Sequence, residues 1–200
     1  MNLDNARLGM VIVDLQNDFL APDGAYARGQ TVSPEALLLP ERMAPVARAI
    51  KARGGLVCGS QFTLWPNAQG EPMISEHLKE RRPFLRRGDF APGSRGQAHV
   101  DVLAPLVDVS VSKVAYSAFF NTQLDWVLKK AGVDTLVVCG IVTNGGVAST
   151  VRDAHVRDYH VLVLSDGCAA FSPAAHQAAL ADMASVAEVT DSASLLRQLG

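Results

Sequence analysis

Four short polar stretches carry residue types that could move a proton or hold an oxyanion. Asp14 closes the apolar part of Val11-Ile-Val-Asp-Leu-Gln-Asn-Asp-Phe19, and Gln61 follows the run Leu56–Ser60. Lys113 follows Val109–Val111, and the turn Gly140-Ile-Val-Thr-Asn-Gly-Gly146 follows Thr135–Cys139. A carboxyl group can give or take a proton, and a nearby ammonium biases which. A glycine turn opening a helix presents backbone N–H groups to negative charge. Each type also has an ordinary structural use. An Asp after a strand caps helices and turns, a lone Lys is usually solvated, a Gln can satisfy a loop carbonyl, and a glycine turn can be geometry alone. What would set these four apart is convergence on one place.

The elements around them supply that convergence. Short runs that are apolar on consecutive residues alternate with helical patterns, the signature of βαβ crossovers and a mostly parallel sheet covered on both faces. Strands are expected at Leu8–Val13, Leu56–Ser60, Val109–Val111, Thr135–Cys139, His160–Leu164 and Val186–Val189. Helices are expected from Pro34 to Ala52, stopped by Gly54-Gly55, from Asn121 to Ala131, from Gly146 to Arg157, from Ser172-Pro173 to about Ala184, and from a cap at Asp191 to Leu199. In such sheets ligands bind beyond the carboxyl ends of the strands, where Asp14, Gln61, Lys113 and the 140–146 turn all fall. The segment 63–97, with Pro66, Pro72, Pro83 and Pro92, breaks the alternation and reads as a long surface excursion.

Bulk properties narrow the class. The 200 residues fit a single domain over 1–200, and 48% hydrophobic content is enough to build a core. A net charge of −2 argues against a nucleic-acid binder working by bulk positive charge, and no apolar run approaches a membrane span. Met1 to Leu8 contains Asp4 and Arg7 and lacks the apolar stretch of a signal peptide. Three widely spaced cysteines, Cys58, Cys139 and Cys168, suit neither a disulfide framework nor a thiolate zinc site, so a reducing cytoplasm is the expected location.

The chain resembles the isochorismatase-like, or cysteine, hydrolases. The resemblance rests on Val11–Phe19, Ala91-Pro-Gly-Ser94, Lys113-Val-Ala-Tyr-Ser-Ala-Phe-Phe120, Cys139-Gly-Ile-Val-Thr143 and Thr150-Val-Arg-Asp-Ala154, five blocks in the right order. It implies a Rossmann-like three-layer α/β/α fold with a six-stranded parallel sheet. It also implies a small-molecule substrate, no cofactor, and a homodimer or homotetramer. Members that cleave amides use an Asp, a Lys and a Cys. The first two map onto Asp14 and Lys113, while the Cys position is Gly146.

Glycine cannot attack a carbonyl, so covalent thiol catalysis at that position is excluded. Isochorismatases proper resemble this chain in carrying glycine there. They hydrolyse a vinyl ether, which needs a proton donor toward carbon rather than a nucleophile. Gln61 and the Lys113–Phe120 block also resemble the isochorismatase version, and the expected reaction is vinyl ether hydrolysis with Asp14 as acid. The alternative is an amidohydrolase relative that has lost its nucleophile and only binds. The resemblance further implies an arginine of the excursion on a substrate carboxylate, expected from the Arg86-Arg87 pair and assigned to Arg87. It adds Phe19, Gln61, Val142, Thr143 and Phe119 to the substrate-binding set. In the amidases the peptide before the strand-four threonine is cis, here Val142–Thr143. No Asp-x-His pair follows Gln61, so a metal site is not expected.

Overall fold

The computed structural model describes residues 3 and 6–200. Met1, Asn2, Asp4 and Asn5, part of the segment read as lacking a signal peptide, lie outside them. Strand β1 (Leu8–Val13) leads through two single-turn helices, α1 (Asn17–Leu20) and α2 (Ala25–Arg28), into the long helix α3 (Pro34–Ala52). Strand β2 (Leu56–Phe62) precedes the excursion, which carries α4 (Glu76–Arg81), and the chain returns to β3 (Val109–Lys113). Then follow α5 (Leu124–Lys130), β4 (Thr135–Ile141), α6 (Ala148–Val156), β5 (His160–Ala169), α7 (Pro173–Met183), β6 (Glu188–Thr190) and α8 (Ser192–Leu199).

The six strands form one parallel sheet in the order β3-β2-β1-β4-β5-β6. Strands β1 and β4 are buried along their whole length, which requires cover on both faces. One face carries Met10, Ile12, Val137, Cys139, Leu162 and Leu164 against Leu39, Met43, Val46 and Ile50 of α3 and Leu195 of α8. The other carries Val11, Val13, Val138 and Val163 against Leu124 and Leu128 of α5, Val151 and Ala154 of α6, and Leu180 and Met183 of α7.

The order reverses between β1 and β4, because the chain winds outward from β1 in one direction and from β4 in the other. That reversal opens the crevice in which parallel sheets hold ligands. Both strands flanking it end in unusual backbone. Asp14 has φ 57°, a left-handed conformation that Asp tolerates better than most side chains. Gly140 has φ 119°, and a Cβ there would stand 2.0 Å from the Val13 carbonyl oxygen.

Several boundaries differ from the sequence reading, for local reasons. Strand β2 runs on to Phe62 because β3 offers it a partner as far as Lys113. Strand β5 runs to Ala169 past an irregularity in its pairing with β4, where Gly140 meets Cys168. The expected start of a helix at Gly146 is instead a wide π-helical turn, Thr143–Val147, with α6 beginning at Ala148. Strand β6 starts two residues late, because the Val186 and Ala187 amides close the end of α7 on the Met183 carbonyl.

The excursion is stitched back onto the sheet edge. The Asn17 amide donates to the Ala98 carbonyl at 3.0 Å, Asp18 to Gly96 at 2.9 Å and Val100 to Leu15 at 3.1 Å. Among the described residues no helix is long and apolar enough to cross a membrane.

Candidate active site

Asp14 and Lys113 come from strands two places apart in the sheet and meet directly. Lys113 Nζ lies 2.6 Å from Asp14 Oδ2, with the lysine side chain 2% exposed and the aspartate 6%. The pairing register explains the meeting. Val13 stands opposite Ser60 and Phe62 opposite Lys113, so the carboxyl ends of β1, β2 and β3 finish at one edge. Ser60 Oγ donates to Asp14 Oδ1 at 2.7 Å, and Lys113 also donates to the Ala115 carbonyl at 3.0 Å. Burial raises the Asp14 carboxyl above its ordinary range, with the Lys113 charge and the Lys113 and Ser60 hydrogen bonds pulling the other way. The group is therefore held closer to the protonated state than a surface aspartate.

No thiol stands beside this pair. Gly146 lies in the wide turn after β4, and a Cβ there would lie 3.0 Å from Val13 Cγ1 and 3.1 Å from the Ile141 carbonyl oxygen. The space is filled by neighbouring atoms rather than left open. The three cysteines are all free and buried, and burial pushes Cys58 and Cys168 up to about 12 and Cys139 well above its usual value. None is a thiolate at neutral pH.

An aromatic cluster leads from this pair to the surface. The Lys113 ammonium lies 5.6 Å from the Phe62 ring centre, and Phe62 packs on Phe90 at 5.2 Å. Phe19 packs on Phe90 at 4.6 Å and on Tyr26 at 4.5 Å, and Phe171 stacks parallel to Tyr26 at 6.0 Å. Phe19, Tyr26, Ile141, Val142, Ala169 and Phe171 line a narrow cleft of about 10 Å³, room for roughly one water molecule. Asp14 and Lys113 line neither this cleft nor a larger open groove of about 500 Å³ beside β3, between Trp65 and Thr122; the link from the pair to the cleft runs through the Phe62, Phe90 and Phe19 rings.

The sequence expectations divide. Phe19 and Val142 do line the cleft. Gln61 is turned toward the excursion and donates to the Gln97 carbonyl at 3.1 Å. Thr143 is wholly buried and bonded to His176. Two assignments are corrected. Phe119 is buried 6.0 Å from the Tyr159 ring among the residues under α5 and α6, so it cannot line the cleft. Arg87 is exposed and bonded to Glu71 at 2.8 Å and to the Gln69 carbonyl at 2.6 Å, an ordinary surface ion pair. The arginine at the cleft is Arg82. Its guanidinium lies 5.3 Å from the Phe171 ring centre and 5.9 Å from that of Tyr26, and it donates to the Tyr26 hydroxyl at 3.2 Å. Among the described residues it has no carboxylate partner. The cis peptide also stands one residue earlier than expected, at Ile141–Val142.

Residues 9–194 match the isochorismatase domain. The chain belongs to the isochorismatase family. It is 36% identical over 193 residues to the ureidoacrylate amidohydrolase RutB of Methylobacterium radiotolerans, covering 90% of this chain and 74% of that one. It is 44% identical over 181 residues to the isochorismatase family protein YwoC of Bacillus subtilis, covering 90% and 87%. Among solved structures it resembles a cysteine hydrolase from Pseudomonas syringae, with a TM-score of 0.83 and 27% identity over 100% of this chain and 95% of that one. The family fold and a hydrolase identity follow for this isochorismatase family member.

Sequence reasoning passed over Tyr26, Phe171 and His176. Phe171 had a usable signal, since it follows β5 at the same carboxyl edge as Asp14. Tyr26 and His176 had none, because the approach of α2 and α7 to the site is purely tertiary.

Proposed function

We propose that this protein hydrolyses a small unsaturated carboxylic acid bearing a nitrogen or oxygen substituent on its double bond, with Asp14 moving the proton and no covalent intermediate. The observation that carries this reading is the buried Asp14–Lys113 pair in a chain that has glycine, Gly146, at the position matching the thiol of the amide-cleaving relatives. The substrate class rests on the relatives. Ureidoacrylate, in the RutB name, carries a ureido nitrogen on an acrylate double bond, and isochorismate carries an enol ether. In both, protonating the double-bond carbon leaves a cation that the neighbouring nitrogen or oxygen stabilises. Water adds to that cation and returns a proton to Asp14. The adduct then collapses, expelling urea or the alcohol and leaving a carbonyl. The raised carboxyl of Asp14 supports the acid role, and Lys113 stabilises the carboxylate left after the transfer. Arg82, without a carboxylate partner among the described residues and lying beside the stacked Tyr26 and Phe171 rings, is suited to the substrate carboxylate.

The amidohydrolase name of the RutB relatives favours a second reading, in which Asp14 as a base directs water onto the ureido carbonyl. The products separate the two. Carbon protonation of 3-ureidoacrylate releases urea, whereas carbonyl attack releases carbamate and then ammonia. Purified protein incubated with 3-ureidoacrylate, and separately with isochorismate, is expected to release urea or pyruvate, and Asp14→Asn is expected to stop it. Ammonia without urea would move the assignment to amide attack. Turnover of neither compound, or undiminished turnover by Asp14→Asn, would overturn the proposal.

A further inference from the structure

The turn at the position of the family thiol is closed within by backbone bonds, the Gly145 and Val147 amides both donating to the Val142 carbonyl at 2.9 and 3.2 Å. Thr143–Val147 is π-helical, wider than an α-helical turn, and two of its residues are glycines with no side chains to pack. Two side-chain ties hold it from outside. Thr150 Oγ1 donates to the Gly146 carbonyl at 2.7 Å from within α6. Thr143 Oγ1 lies 2.8 Å from Nδ1 of His176, on α7. Thr143 is 0% exposed, and His176 is the hydrogen-bond partner found for its hydroxyl. A buried hydroxyl deprived of its partner is costly, so this bond pins the start of the turn to a separate helix.

Helix α7 has a second link to the cleft. It opens at Pro173, capped by Ser172, directly after Phe171. The segment that carries a ring on the cleft wall therefore continues into the helix that holds the turn. We propose that His176 is a positioning residue: through Thr143 it fixes the Val142–Gly146 backbone against Phe171, so that a substrate meets Asp14 at a set distance. It touches neither substrate nor Asp14. A displacement of the turn by a fraction of an ångström would leave binding almost intact while degrading the alignment for proton transfer, which depends steeply on geometry.

The proposal rests on the hydrolase reading for its kinetic arm alone. That arm compares His176→Leu, His176→Asn, Thr143→Val and the double variant, using 3-ureidoacrylate or isochorismate. His176→Leu is expected to lower kcat at least about tenfold with KM changed less than about threefold. Asn, whose amide can still bond a hydroxyl, is expected to recover part of the loss, and the double variant to be no worse than the poorer single one. The second arm, amide hydrogen exchange, needs no substrate. His176→Leu should speed exchange at Thr143–Val147 while the β1 and β4 amides stay protected. Unchanged exchange at the turn, losses that multiply in the double variant, equal kcat for Leu and Asn, or a KM effect alone would overturn the positioning role. If the wild type turns over neither compound, the hydrolase reading fails and exchange by itself decides the tie.

Discussion

Asp14 sits between opposing influences, and its protonation state separates the two chemistries. An acid role requires the proton, so the rate on substrate would fall as pH rises through the elevated carboxyl pKa; a base role would make it rise. A kcat profile between pH 4 and 9 distinguishes them. The same balance bears on stability. In Lys113→Met the carboxyl stays buried and loses the charge that lowers its pKa, so the pKa climbs further. A folded-state pKa above the unfolded value gives stability that is full at low pH and lost as pH rises through the folded pKa. Urea unfolding should therefore find Lys113→Met closer to wild type at pH 5 than at pH 8, where breaking a buried pair costs about 3–5 kcal/mol. A variant equally weakened at both would show that Asp14 is not the group left stranded. Asp14 and Lys113 were readable as candidates because each ends an apolar strand run. Their 2.6 Å contact was not, since it depends on register across β2.

At the scale of elements, the return of the excursion carries an acid-sensitive histidine. His99 bridges Gln16 across the sheet edge and lies against Gly59, where a Cβ would come within 2.4 Å of its ring. Its Nε2 lies 3.0 Å from Ser110 Oγ, while Nδ1 is buried with no partner. Burial lowers its pKa to about 4 from 6.5. A depressed histidine stabilises above the unfolded pKa, and that contribution is lost as pH falls through the folded pKa. The window is thus 6.5 down to 4, worth about 3 kcal/mol in all. The slope of unfolding free energy against pH across that window should flatten in His99→Gln; an unchanged slope would place the acid sensitivity elsewhere. All six strands were legible from consecutive apolar residues, and the caps at Ser172 and Asp191 from their residue types. The π-helical turn was not, because its glycines read equally well as the start of an ordinary helix. The stitching of residues 96–100 onto Leu15–Asp18 pairs residues about eighty apart and leaves no local pattern.

Over the whole molecule, an interior sheet is fixed by burial while the excursion lies outside it. Helix α4 has no buried residue, and it is tied inward by Arg82 and by Phe84, whose ring packs on Tyr26 at 5.1 Å. Arg82→Ala should therefore leave the thermal midpoint nearly unchanged and raise KM for a carboxylated substrate by roughly tenfold or more, the scale of one lost charged hydrogen bond. Arg87→Ala, which breaks an exposed pair with Glu71, should change neither. Equal effects of the two would deny Arg82 its place at the cleft. The five arginines of the excursion are alike in sequence, and only the fold shows which one lies over the rings. The three sequestered sulfurs carry a consequence of a different kind. Electrophiles such as iodoacetamide or vinyl sulfones, which silence thiol hydrolases by alkylating them, would find no accessible thiol in this native protein. Mild peroxide would likewise spare the three thiols, its accessible target being the thioether of exposed Met73 instead.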